Sequence, residues 1–191
     1  MRGECLFHEG DHAVRVYNLT GGSVKLYRLL PDGRRQVAGF LRAGDFLGLT
    51  GEPEHYLTAE AMEPTEYCCF TRERFDAFLD CHTDMGRALY LMARRQLAAA
   101  RGQTLLLARK NAPERIASFL LNRNAVQGGG SAVSLPMTRF DIADHRGLTR
   151  ETVSRTLTSL RKAGLVGDAG RGNVVLLQRE RLEQLAAGSL R

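Results

Sequence analysis

Several things are missing from this chain of 191 residues. No apolar run approaches the roughly 20 residues that a membrane-spanning helix needs. No signal-peptide pattern opens the sequence, so a cytoplasmic location without membrane association is the expectation. The four cysteines, Cys5, Cys68, Cys69 and Cys81, include no CxxC pair. In a cytosolic protein they read as reduced thiols, with Cys68 and Cys69 in a strand. His8 and His12 are close, but no H-x-H motif and no third ligand of matching context accompanies them. That counts against a metal-dependent enzyme built in a β-roll, and no catalysis is expected. Internal repeats and a low-complexity tail are also absent.

Charge is present but unevenly placed. Residues 109–191 hold 14 Lys and Arg against 7 Asp and Glu, whereas residues 1–108 hold 13 against 14. The net +6 therefore comes entirely from the C-terminal part. A phosphate-binding surface fits this asymmetry, although basic charge alone also suits a membrane surface or simple solubility.

The most informative stretch is Arg139 to Leu160, RFDIADHRGLTRETVSRTLTSL. Thr138 can cap a first helix, with Asp141 three residues on at the positive end of its dipole. Ile142 and the small Ala143 face inward. Gly147 supplies a left-handed turn, and Leu148 plugs the angle before the next helix. Thr149 caps that second helix, in which Val153, Leu157 and Leu160 recur at helical spacing. Arg150, Glu151, Ser154 and Arg155 share the opposite arc. Such an arc near a helix N-terminus matches a recognition helix in the major groove of double-stranded DNA. Arginine reads guanine O6 and N7, glutamate accepts from cytosine N4, and serine is a permissive short contact. Charges on a helix alone are usually a solvated face; the cap, the turn glycine and the core spacing together favour DNA reading. Arg146 stands where an apolar residue would be expected, and either snorkels its head into water or costs stability.

Elsewhere the periods change twice. Residues 3–70 read as short strands broken by turns at Gly21-Gly22 and Asp32-Gly33, with Gly44 to Leu49 as another turn and strand and at least one more strand in Leu57 to Phe70. Many short strands with regular turns indicate an antiparallel barrel or roll. Residues 72–80 read as a short helix and 84–108 as a long one. Within the long helix Tyr90, Ala93, Leu97, Ala100, Thr104 and Leu107 form a heptad seam, suited to a parallel pair of helices in a homodimer. Packing inside one subunit is the alternative. A second stripe, Leu89, Met92 and Gln96, can face the strands. Pro113 to Asn124 forms another helix, and 127–131 a loop. Leu165 to Leu177 has the shape of a hairpin wing with Arg171 at its tip, and Arg179 to Ala187 closes the chain as a helix.

The chain resembles the CRP/FNR family of bacterial transcription regulators. HEGD (8–11), DGRRQVAGFLRAGDFLGL (32–49), KNAPERIASFL (110–120) and PMTRFDIAD…GLTRETVSRTL (136–157) carry the resemblance. Glu151, Ser154 and Arg155 reproduce the E-x-x-S-R of its FNR/FixK branch, while Arg150 departs toward the R-E-x-x-x-R pattern and bears on the outermost half-site base. The resemblance implies an α+β chain: a jelly-roll sensor domain like those that bind cyclic nucleotides (1–82), a dimerisation helix (83–109) and a winged helix-turn-helix (110–191). It implies palindromic TTGAT-type half-sites with Arg155 as the guanine reader, RNA polymerase as a partner, and activation linked to oxygen or redox state.

The effector expectations are mostly negative. Leu49 and the strand HYLTAEAM offer no arginine to neutralise a cyclic-nucleotide phosphate. Oxygen-sensing relatives hold a [4Fe–4S] cluster through N-terminal cysteines and one internal cysteine. Cys69, the weak metal candidate, falls at the internal position, with Cys68 beside it. The chain starts at about the family's second sensor strand, so the N-terminal ligands are missing. A cluster is expected only if such a segment belongs to a longer protein, which would make this a truncated oxygen sensor. Haem-type relatives use a histidine where Thr50 stands, leaving His8, His12 and His55. Ala100, small and apolar in the seam, favours a dimer that forms without ligand.

Overall fold

The computed structural model describes residues 1–94, 97, 110–170 and 172–189. The chain divides into two units, Met1–Gly102 and Gln103–Arg191.

The first unit is a β-roll. One antiparallel sheet takes β1 (Cys5–Phe7), β6 (Thr58–Ala61), β3 (Ser23–Leu29) and β4 (Arg35–Arg42), in that order. A second takes β5 (Phe46–Leu47), β2 (Arg15–Gly21) and β7 (Glu66–Thr71). Phe7, Tyr17, Leu19, Val24, Leu47 and Ala59 form the core, with Leu6, Leu26 and Leu41 packed against it. Alternation in β3 puts Val24 and Leu26 on one face opposite Leu41 and Ala59. Glycine turns occur where the sequence places them: 32–33 closes the β3–β4 hairpin, whereas 21–22 carries the chain from β2 in one sheet to β3 in the other. The strand expected in Gly44 to Leu49 shrinks to two residues, and Leu57 to Phe70, expected to hold at least one strand, holds two.

Two helices follow: α1 (Arg72–Cys81), capped by the Thr71 hydroxyl, and α2, helical over the described residues 83–94. On α2 the two expected stripes separate. Leu89 and Met92 are half-buried, whereas Ala93 is exposed. Tyr90 is 62% exposed and Leu97 53%. Gln96, Ala100, Thr104 and Leu107 lie outside the described residues.

The second unit is helical with a small sheet. Its first helix is α3 (Ala112–Val126), where Asn111 and Glu114 form a reciprocal capping box and Pro113 sits in the first turn. Then come β8 (Ala132–Val133), α4 (Arg139–Arg146), α5 (Arg150–Lys162), β9 (Val166–Asp168), β10 (Val174–Leu176) and α6 (Arg179–Ala186). Strand β8 lies just beyond the expected loop and joins the wing, giving a sheet ordered β8-β10-β9. Ile116, Phe119 and Leu120 of α3, Ile142 of α4, Val153 of α5 and Leu182 of α6 are all essentially inaccessible. Each contributes roughly 1.5–3 kcal/mol by burial. This core fixes α4 and α5 and leaves one face of α5 outward.

Candidate nucleic-acid interface

Helix α4 starts with a capping box. Thr138 Oγ1 accepts from the Asp141 amide at 3.1 Å, and Asp141 Oδ2 accepts from the Thr138 amide at 2.9 Å. The carboxylate thus satisfies specific amides rather than acting only on the dipole. The helix ends at Gly147, in the left-handed region at φ 62° and ψ 45°, where a side chain would be strained. Leu148 is half-buried in the angle. Thr149 Oγ1 then accepts from the Thr152 amide at 3.1 Å and starts α5.

Along α5 the two faces are cleanly divided. Val153, Thr156, Leu157 and Leu160 are buried, and Arg150, Glu151, Ser154 and Arg155 are exposed. All four proposed base-contacting side chains therefore share one accessible arc, with Thr138 and Thr149 exposed at the two helix starts.

Three contacts at this site were not legible in the sequence. Arg115 of α3 donates from Nη1 to the carbonyls of Arg146 (3.1 Å) and Gly147 (3.3 Å), holding the turn between the helices. Phe140, 56% exposed, has the Arg150 guanidinium carbon 5.1 Å from its ring centroid. Arg146 does not keep its head in open water. It is 4% exposed, with its guanidinium 5.2 Å from the Phe119 ring centroid. Its Nε has no hydrogen-bond partner among the described residues. Desolvation lowers its pKa to about 10.

The wing is tied to the helices. Arg161 at the end of α5 pairs with Asp168 of β9 at 3.5 Å, and Arg139 Nη2 donates to the Gly172 carbonyl at 3.5 Å. Burial, and then the neighbouring Arg161 charge, push the Arg139 pKa down. Asn173 N donates to Gly170 O at 2.9 Å across the tip. Arg171 itself lies outside the described residues.

In the first unit, the loop after GDFLG is clamped by Arg72. Its guanidinium donates to the carbonyls of Ala13, Thr50 and Gly48, each at 2.7 Å. Gly48 has φ 79°, and a Cβ there would lie 2.4 Å from the Arg15 carbonyl oxygen. His55 is buried, stacked on Phe7 with centroids 3.7 Å apart, while His8 and His12 are exposed. Cys68 and Cys69 are exposed on β7, and Arg15 Nη1 lies 4.0 Å from Cys69 Sγ. Cys5 lies on β1 and Cys81 ends α1. Among the described residues no three His, Cys, Asp or Glu side chains converge as metal ligands. Nor is any described helix long and apolar enough to cross a membrane.

Comparison with known proteins gives the same two parts. Residues 1–82 match the cyclic nucleotide-binding domain model, and residues 114–185 match the Crp-like helix-turn-helix domain model. The chain is 41% identical over 189 residues to the nitrogen fixation regulation protein FixK of Bradyrhizobium diazoefficiens, covering 97% of this chain and 79% of that protein. It is 42% identical over 188 residues to the transcriptional activatory protein AadR of Rhodopseudomonas palustris, covering 96% and 78%. The structure of FixK2 from Bradyrhizobium japonicum superposes with a TM-score of 0.88 at 38% identity, covering 96% of this chain and 93% of that one. A capped recognition helix with an exposed polar arc, joined to a β-roll, places the chain in the CRP/FNR family of DNA-binding transcription regulators, on its FixK/FNR side.

Proposed function

We propose that the protein acts as a cytoplasmic homodimer that reads a palindromic TTGAT-type site and activates genes under oxygen- or redox-linked control. The observation that carries this reading is the exposed arc of Arg150, Glu151, Ser154 and Arg155 on a helix whose other face is wholly buried. Arg155 donates bidentately to guanine O6 and N7, Glu151 accepts from cytosine N4, and Ser154 makes a short contact. Thr138 and Thr149, exposed at the two helix starts, offer hydroxyls toward phosphates. Arg171 adds a phosphate contact from the wing.

Tyr90, Ala93 and Leu97 support the dimer, because they leave an apolar seam uncovered in the single chain. Ala100, Thr104 and Leu107 continue that seam in sequence. Two copies then offer two recognition helices about one duplex turn apart. RNA polymerase is the further partner, in keeping with relatives named as activators. The protein works by binding, not by catalysis.

The sensor unit is read as holding no resident cofactor. Arg72 is committed to three carbonyls, which leaves it poorly placed to neutralise a phosphate. Cys68, Cys69, Cys5 and Cys81 sit on three separate elements, which does not fit a four-thiolate cluster. Iron and acid-labile sulfide, assayed on protein purified without air, are expected to be substoichiometric.

The principal test is selection of bound sequences from random duplexes, with and without air. The expected product is a palindrome, and Arg155→Ala should cost about 1–3 kcal/mol on it while relaxing one base position. Arg171→Ala should instead weaken all sequences alike and flatten the salt dependence. Equal losses on specific and random DNA for Arg155→Ala would refute base reading.

A further inference from the structure

Phe140 is an exposed aromatic on a surface where folding does not require one. It is the second residue of α4, followed by Asp141, Ile142 and Ala143, all buried. Its own ring stays 56% exposed. Arg139 precedes it in the chain, and Arg150, the first residue of α5, lies over it at 5.1 Å. That separation is within the roughly 6 Å at which a guanidinium is held by the negative face of a ring. Among the described residues no carboxylate forms an ion pair with Arg150. Arg155, the other arginine of the arc, has no ring beside it among the described residues.

We propose that Phe140 is a specificity-determining residue that acts by positioning Arg150, and that the two together set the outermost base of each half-site. The proposal rests on the base-reading role of the α5 arc. Its physical basis is that a ring uses only the face of a guanidinium. The in-plane N–H donors, which make the bidentate contact to guanine, stay available. A free arginine at an exposed helix start samples many rotamers and also pairs with any nearby phosphate. An arginine held over a ring has already lost part of that freedom, so it discriminates bases at less entropic cost. Phe140 touches no base in this scheme.

The test compares sequence selection and affinity for the wild type, Phe140→Ala, Phe140→Leu, Phe140→Tyr and Arg150→Ala. Because Phe140 is exposed, these variants should fold, which thermal unfolding verifies. Phe140→Ala is expected to weaken the preferred site about two- to fivefold. It should flatten base preference only at the position that Arg150→Ala flattens, with the salt slope unchanged. Phe140→Tyr, which keeps the ring face, should restore the preference. Phe140→Leu, which keeps apolar bulk without the face, should not. In the double variant the two losses should not add. Preference retained in Phe140→Ala overturns the proposal, as does rescue by Leu, which would assign the residue to apolar contact with a thymine methyl. No base preference lost in Arg150→Ala overturns it equally. If Arg155→Ala also leaves preference intact, the base-reading role itself has failed, and the two failures are thereby told apart.

Discussion

Two buried side chains of opposite history make the residue-scale predictions. Arg146 sits in the second unit's interior over Phe119, its pKa drawn down to about 10 by desolvation alone. It is still protonated at neutral pH, so folding keeps a cation in a poor solvent with one ring as compensation. Arg146→Met keeps the volume, removes the charge and leaves the backbone carbonyl that Arg115 binds. It is expected to stabilise the protein by about 1–2 kcal/mol, read as a higher denaturation midpoint. A loss of stability would mean that the charge is better compensated than its surroundings indicate. His55 is the second case. Burial lowers its pKa, outweighing the opposing pull of Asp11. The unfolded state therefore binds a proton that the folded state resists. The contribution is fully present above the ordinary histidine pKa and is lost as pH falls through the lowered folded value. Unfolding midpoints should drop on acidification below about pH 6.5, the unperturbed histidine range. His55→Phe, which keeps the stack on Phe7, should flatten that drop.

At the scale of elements, the helix-turn-helix is assembled from local devices that can be removed singly. The Thr138–Asp141 box satisfies two amides that the helix itself cannot. Thr138→Ala should lower stability by about 1 kcal/mol, visible as a shifted midpoint with an unchanged denaturant slope. Its preferred DNA sequence should stay the same, since the cap positions a helix and the arc of α5 reads the bases. A changed preference would assign Thr138 a direct role. These devices were legible in the sequence because each acts within four residues. The wing was only half legible: the hairpin follows from Gly170 and Gly172, but its third strand, β8, is two residues long and carries no pattern of its own. The short β5 was over-read for a related reason. The GDFLGL stretch has strand-like composition, yet the backbone bends at Gly48, and the Gly48 and Thr50 carbonyls are taken by the Arg72 side chain rather than by a neighbouring strand.

At the scale of the whole molecule, the charge asymmetry and the uncovered seam bear on how two copies would meet DNA. Leu97, 53% exposed in the single chain, lies in the middle of the heptad pattern. Leu97→Glu places like charges across the proposed seam. It should convert a dimer to a monomer in sedimentation at micromolar concentration and abolish preference for the palindrome over a half-site. A dimer that survives the change would place the interface elsewhere. The basic surplus confined to residues 109–191 should make binding to any duplex steeply salt-dependent in either case.

The sequence by itself determined what depends on near neighbours: the helix caps, the left-handed turn at Gly147, the glycine turns between strands, and the division of α5 into a buried and an exposed face. Short-range hydrogen bonds and a 3.6-residue period decide these, and both are written in adjacent letters. Tertiary structure alone decided what Arg72, Arg146 and Phe140 do. Arg72 binds carbonyls 59, 22 and 24 residues away, Arg115 reaches a carbonyl 31 residues on, and Phe140 meets Arg150 across a turn. A cation's partner is whatever the fold brings within a few ångströms, and no spacing rule in one chain announces it.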